Sequence, residues 1–426
     1  MMKHLGKIFE QRGTGFRRFS RSGEETSSVG RACEKAKKAR PRILMVTRNL
    51  PPLVGGMERL NWHLAEELGK RAEVRMIGPE GAAAAAPAGN VQLREAPLKP
   101  LPRFLLAAQW RAWREARAWR PHIVLAGSGL TAPIAWLSAK SCGARAAVYV
   151  HGLDLAVKQS VYRALWLPVI RRMDRIIANS HATEKLAIDA GVNPARIAIV
   201  HPGVEPLQGE PDPEAITRFR AERQLGRRPV LLSVGRLTRR KGLCEFVANV
   251  LPQIVAARPD VILLVVGDAP TQSLHAEAQT PESIQVAADS KGVGDHIKFL
   301  GVITDRDRLA TVYQAADVHV FPVQHIPNDP EGFGMVAIEA AAQGLPTVAY
   351  ATGGIIDAVA EGQSGYLVAP GDGRAFARGV IQLLERPLPA AAPRTHAESF
   401  AWKHFGDAVW SQIRGILFQS SDLKLL

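Results

Sequence analysis

Beyond Pro41 the chain alternates short apolar runs with stretches whose apolar residues recur every three or four positions. RILMVT (42–47) is a continuous apolar run, as a strand buried on both faces requires. Leu60, Leu64 and Leu68 then repeat along one helix face. AEVRMIG (72–78), HIVLAG (122–127), RAAVYVHG (145–152), RIIANS (175–180) and RIAIVHPG (196–203) continue the series before about residue 205. PVLLSVGR (229–236), VILLVVGD (261–268), IKFLG (297–301), VHVFPV (318–323) and PTVAYA (346–351) resume it afterwards. Strands alternating with helices predict parallel sheets covered by helices, hence two doubly wound α/β domains. QGEPDPEA (208–215) is the best linker, which sets domains at 41–207 and 208–390. The low-complexity GAAAAAPAG (81–89) reads as a loop. Open sheets of this kind bind ligands at the carboxyl ends of their strands, so the loops that follow strands carry the chemistry.

Length and composition agree with this picture. A chain of 426 residues is too long for one ordinary domain. It has no apolar stretch near the roughly 18 residues that span a bilayer, and its start lacks the apolar core of a signal peptide. Cys33, Cys142 and Cys244 are odd in number and far apart, which fits a reducing cytosol better than a disulfide framework. The net charge of +14 is uneven: residues 1–40 hold eleven Lys/Arg against four Asp/Glu, half the excess. This basic arm reads as disordered. Nucleic acid is one conceivable partner, but no helix-turn-helix spacing, zinc finger or stacking aromatics support it. An anionic membrane surface, a plain solvated tail and a start codon placed too early are the other readings.

Three loops stand out. In NLPPLVGGMERL (49–60), Gly55 and Gly56 let the backbone approach a ligand at a helix start. GxGxxG is absent, so dinucleotide binding loses its main support. In SVGRLTRRKG (233–242), Arg236 and Lys241 follow a strand and are placed to clamp a diphosphate. In VHVFPVQHIPNDPEGFGMVAIEAAAQG (318–344), Glu331 precedes a helix, and Gly332 and Gly334 allow close approach. The N–H groups from Phe333 through Met335 to Val336 suit a phosphate. Glu339 interrupts an apolar helix, where an ionised carboxylate needs a solvent edge or a polar ligand. Two glutamates about 10 Å apart along a helix axis match an extended ligand with hydroxyls at both ends, such as a nucleoside-diphosphate sugar.

EGFGMVAIE (331–339), with two glutamates separated by seven residues, resembles the motif of retaining glycosyltransferases of the GT-B fold, in particular glycosyltransferase family four. PPLVGG (51–56), VGRLTRRKG (234–242) and IVHPGVEP (199–206) follow the family's order, and the resemblance covers about residues 42–405. It implies two Rossmann-like domains facing across a cleft, with a C-terminal segment (391–426) whose helix returns to the first domain. It also implies transfer of a hexose from a UDP- or GDP-sugar to a glycan or lipid-linked acceptor, with retention and without metal or cofactor. Glu331 would bind donor-sugar hydroxyls and Glu339 the ribose. Arg236 and Lys241 would neutralise the diphosphate, and Gly56 would offer its backbone. His151 matches the histidine beside the anomeric carbon; taken alone, it reads as a core or turn histidine. Pro202 and Glu205 depart from the residues common at the seam, and the variant Gly152-Leu153-Asp154 leaves open whether Asp154 reaches the donor.

Other readings compete. Asp305 and Asp307 form a D-x-D, but at the start of a helix they read as dipole complements beside a Thr304 cap. A glycosidase pair of Glu331 and Glu339 leaves the cations unexplained. An epimerase of the same fold, or an inactive basic protein that binds membrane or nucleic acid, are the rival functions. In RFLLAAQWRAWREARAWRPH (103–122), Leu106, Trp110 and Trp113 share a face flanked by Arg103, Arg114 and Arg117. That face suits a membrane interface or packing on the sheet equally. Together these readings place the protein in the cytoplasm, peripheral on the inner face of the cytoplasmic membrane, in cell-envelope or surface-polysaccharide (including lipopolysaccharide) synthesis.

Overall fold

The computed structural model describes residues 40–85, 91–269 and 278–417, so the basic arm lies outside the described residues apart from Arg40. Seven parallel strands form the first sheet: β1 (Arg42–Val46), β2 (Glu73–Pro79), β3 (Val91–Ala96), β4 (Ile123–Ala126), β5 (Arg145–Val150), β6 (Arg175–Ala178) and β7 (Ile197–Ile199). Their order is β3-β2-β1-β4-β5-β6-β7. Six more form the second: β8 (Val230–Val234), β9 (Ile262–Val266), β10 (Ile297–Gly301), β11 (Val318–Phe321), β12 (Thr347–Tyr350) and β13 (Gly365–Val368), ordered β10-β9-β8-β11-β12-β13. Both are doubly wound, as the alternating pattern predicted.

Burial on both faces explains the continuous apolar runs. In β1, Leu44 and Val46 join the core with Phe104, whereas Ile43 and Met45 join Leu60, Leu64 and Leu68 on the other side. β9 divides likewise, with Leu263 and Val265 on one face and Ile262, Leu264 and Val266 on the other. Two strands escaped the sequence pattern because both lie at sheet edges. β3 (VQLREA) alternates half-buried and exposed positions, and β13 is four residues long with a half-buried centre. Part of the alanine-rich loop, Ala82–Ala85, is a 3-10 turn.

Several helices set up the site: α1 (Gly56–Gly69), α2 (Leu101–Trp119), α3 (His181–Asp189), α4 (Arg306–Gln314), α5 (Met335–Ala342), α6 (Ile355–Ala358) and α7 (Trp402–Leu417). Trp402, Phe405, Val409 and Ile413 of α7 pack with the α1 leucines against the first sheet. The α4 cap is one residue later than expected: Asp305, not Thr304, accepts the Arg308 N–H at 2.7 Å. The D-x-D aspartates therefore serve as cap and first-turn anion. In α2 the buried stripe is Phe104, Ala108, Ala112 and Ala116, which turns Leu106, Trp110 and Trp113 outward. Trp110 is 55% exposed, and Arg114 and Arg117 sit 4.9 Å over the Trp110 and Trp113 rings. Packing on the sheet is thereby excluded for this face. No helix among the described residues is long and apolar enough to cross a membrane.

Candidate functional site

The loop after β11 ends at Gly334, whose φ of 89° is the left-handed conformation that glycine adopts freely, and α5 starts at the next residue. Glu331 stands just before this turn. Its carboxylate takes an ammonium hydrogen from Lys241 at 2.9 Å and pairs with the Arg240 guanidinium. Arg240 also lies 3.2 Å from Asp329 through Nε. Burial pushes the Glu331 carboxyl up, but Arg240, Lys241 and Arg236 together hold it at about 2, well below the usual carboxylate range. It is therefore an anion at neutral pH. Burial lowers the Lys241 ammonium, with Glu331 opposing, and the ammonium also sits 4.6 Å from the centre of the Phe321 ring. Arg236 is exposed and acts on this group only through its charge. Lys241 and Arg236 thus act on one carboxylate, and Arg240 takes a closer part than its place in the sequence suggested.

Glu339 lies one turn into α5. Its partners come from both domains: Arg59 of α1, on the first sheet, forms an ion pair with Oε1, and Tyr313 of α4 donates to Oε2 at 3.3 Å. Burial lowers the Arg59 guanidinium, and its Nε lacks a partner. A cavity of about 110 Å³ opens beside this pair, lined by His63, Glu205, Arg306, Tyr313 and Trp402. Pockets that hold small ligands run from about 300 Å³ upward, so a ligand of that size fits here only if Arg59 moves or the two sheets part. Burial, Arg306 and Arg59 bring the His63 imidazole down to about 4, and its ring stacks on Trp402 at 4.0 Å. His63 is thus neutral.

The first sheet contributes the facing wall. A Cβ on Gly56 would come within 3.0 Å of the Met335 sulfur, so the Gly55-Gly56 loop touches the start of α5. His151, at the end of β5, is buried, and its Nε2–H donates to the Gly127 carbonyl at 3.0 Å. Asp154 accepts the His151 main-chain N–H at 3.0 Å, so it shapes the His151 turn. Any Cβ on Gly332 would collide with the His151 carbonyl, and the Asn179 amide lies beside the same spot. Gly332 is consequently needed to bring the Glu331 loop onto His151. The structure gathers Gly56, His151, Lys241, Glu331, Gly332, Met335 and Glu339 along one interdomain seam. The main-chain groups of Phe333 and Val336 belong to the same turn and helix start.

Reasoning from sequence missed Arg59, Arg240, Tyr313 and Asn179. Arg240 lay inside a loop already marked as cationic. Arg59 sat three residues after the Gly-Gly pair, with nothing in its spacing to announce a partner 280 positions away.

The family model described as glycosyl transferases group 1 matches residues 216–400, and the glycosyltransferase family 4 model matches residues 54–207. The chain is 30% identical over 370 residues to the GDP-mannose-dependent alpha-(1-6)-phosphatidylinositol monomannoside mannosyltransferase of Mycolicibacterium smegmatis, covering 82% of this chain and 91% of that protein. It is 34% identical over 249 residues to the D-inositol 3-phosphate glycosyltransferase of Geodermatophilus obscurus, spanning 57% of this chain and only 52% of that protein. Among solved structures, Anabaena HepE in complex with UDP superposes with a TM-score of 0.72 at 19% identity, covering 88% of this chain and all of that one. Sucrose-phosphate synthase from Thermosynechococcus elongatus gives 0.70 at 23% identity, covering 89% and 100%. These structural likenesses establish the GT-B fold.

Proposed function

The chain belongs to the glycosyl transferases group 1 family, and from that membership we propose that it moves a hexose from a UDP- or GDP-sugar to a glycan or lipid-linked acceptor with retention at the anomeric carbon. One observation carries the reading: the buried Lys241–Glu331–Arg240 cluster is pressed through Gly332 onto His151 of the other sheet. A carboxylate kept ionised there accepts sugar hydroxyls. The cations around it, with Arg236, stabilise the charge that grows on the departing diphosphate. His151 presents its imidazole and turn backbone to the sugar, and Glu339 accepts ribose hydroxyls once Arg59 has left it. The donor contacts further include Gly55, Gly56 and the turn from Gly332 to Val336. No side chain in the cluster is a free base, which suits a leaving phosphate oxygen that takes the acceptor proton.

On this reading the charge is stabilised by Lys241, Arg236, Arg240 and the start of α5, so transfer needs neither metal nor cofactor. The relative from Mycolicibacterium smegmatis is named for a GDP-mannose donor and a phosphatidylinositol mannoside acceptor, which supports a lipid-linked acceptor here. The exposed Trp110/Trp113 face with its arginines supports peripheral attachment to an anionic membrane, on the cytoplasmic side where nucleotide sugars are made. Cell-envelope polysaccharide or lipopolysaccharide synthesis would use such an enzyme. Incubating the full chain with a panel of nucleotide sugars and lipid-linked acceptors, then reading the product anomer by NMR, tests the proposal. An α-linked product from an α-linked donor in the presence of EDTA is expected. Inversion, a strict need for Mg²⁺ or Mn²⁺, or donor turnover without acceptor would each overturn part of it.

A further inference from the structure

Away from the Glu331 cluster, three side chains from three segments meet at the seam between the sheets. His181 is the first residue of α3, His201 follows β7, and Asp357 belongs to α6 beside the second sheet. One ring nitrogen of each histidine and one carboxylate oxygen lie within 4.8 Å of one another. His181 Nδ1 is 3.1 Å from Asp357 Oδ1, and His201 Nδ1 is 3.9 Å from Oδ2. Ligands about 2.05 Å from a tetrahedral ion stand about 3.3 Å apart, between these two separations.

From this geometry we infer that His181, His201 and Asp357 form a binding site for a borderline divalent cation such as Zn²⁺, tying the two domains together. Two imidazoles and a carboxylate favour Zn²⁺ or its neighbours over Mg²⁺ and Ca²⁺, which seek all-oxygen shells. The donors are held before any ion arrives. The His181 main-chain N–H donates to Asp357 Oδ2 at 2.7 Å, and the His201 ring stacks on Phe333 at 5.3 Å. His201 Nδ1 also lies 3.2 Å from the Asn179 carbonyl, a contact that coordination would replace. Outer partners of this kind orient metal ligands and sharpen affinity. His181 is largely exposed and the Asp357 side chain largely buried, so the ion has an open approach and keeps solvent in its remaining positions.

The ion also bears on the donor loop. Phe333 lies between Gly332 and Gly334, and just before α6 the Gly354 N–H donates to the Glu331 carbonyl at 2.9 Å. An ion here holds α6, and with it the Glu331 loop, against the first sheet. Where donor entry parts that seam rather than displacing Arg59 alone, the bound ion slows turnover; this consequence rests on the proposed transferase function, whereas binding does not.

The test uses the untagged full chain stripped with EDTA. Titration calorimetry with Zn²⁺, the visible absorption of bound Co²⁺, and Tm are the readouts. One equivalent of Zn²⁺ with a rise in Tm is expected, and His181→Ala, His201→Ala and Asp357→Asn should each weaken binding at least about tenfold. Because His181 is largely exposed, its variant folds normally and isolates the effect. Zn²⁺ bound equally well by His181→Ala and Asp357→Asn, no binding at all, or Mg²⁺ bound as tightly as Zn²⁺ would each overturn the site. If Zn²⁺ binds but slows turnover no more in the parent than in His181→Ala, the bridging role falls and the site stands. An absence of any transferase activity alongside intact Zn²⁺ binding would count against the function alone.

Discussion

Replacing Glu331 with glutamine removes the one carboxylate shared by Arg240 and Lys241, and the structure sets the size and pH dependence of the loss. The side chain is 12% exposed, so solvent screens it little. Its carboxyl falls from an ordinary 4.5 to about 2 in the folded protein, because three cations outweigh the effect of burial. A group depressed on folding contributes stability that is present above pH 4.5 and is lost as the pH falls toward 2. At about 1.4 kcal/mol per pH unit, that window corresponds to about 3 kcal/mol, of which about 2 kcal/mol disappears between pH 5 and pH 3. Glutamine cannot ionise, and it leaves the largely buried Lys241 without its counter-charge while Arg240 keeps Asp329, which costs about 3–5 kcal/mol at pH 5. Urea unfolding followed by tryptophan fluorescence, at both pH values and for both proteins, gives the four stabilities needed. All other titrating groups are common to the two proteins and cancel. The parent should lose about 2 kcal/mol more than the variant on going to pH 3. If the two lose stability in parallel, Glu331 is not the buried anion described here, and its part in the donor site goes with it.

Other expectations follow from the same cleft. Glu339→Gln should weaken binding of the free nucleoside diphosphate by roughly 1.5–3 kcal/mol, whereas Arg59→Ala should tighten it by freeing Glu339; weaker binding in Arg59→Ala would make Arg59 a donor contact. Lys241→Ala and Arg236→Ala should lower kcat more than they raise KM, since they meet charge that develops at the transition state; turnover within about twofold of the parent in both would place the diphosphate elsewhere. Sedimentation with anionic vesicles should show a salt-sensitive part lost on deleting residues 1–40 and a salt-resistant part lost in Trp110→Ala/Trp113→Ala. A full chain that ignores such vesicles at low salt would leave the exposed aromatic face without this role.

Periodicity alone was enough to read the two doubly wound sheets, because strands such as β1 and β9 are buried on both faces and so are written as unbroken apolar runs. The loops after those strands were legible for the same reason, and Glu331, Gly332, Lys241 and His151 were all found among them. Edge strands were not, since β3 and β13 have half-buried or exposed positions and fewer apolar residues to show. Nor could the sequence choose a face for α2, where alanines rather than tryptophans fill the narrow space against the sheet. The partner of Glu339 was out of reach altogether. A buried carboxylate announces that something must pair with it, but whether that is solvent, ligand or Arg59 depends on which surfaces the two sheets turn toward each other. The same holds for His181 on Asp357, whereas Arg240 reaches Glu331 because the strands that precede their loops, β8 and β11, are neighbours in one sheet. Local pattern determines each element through the burial of its own side chains; which charges meet across the cleft is decided only when the domains close, because attraction at 3 Å depends on position in space and not along the chain.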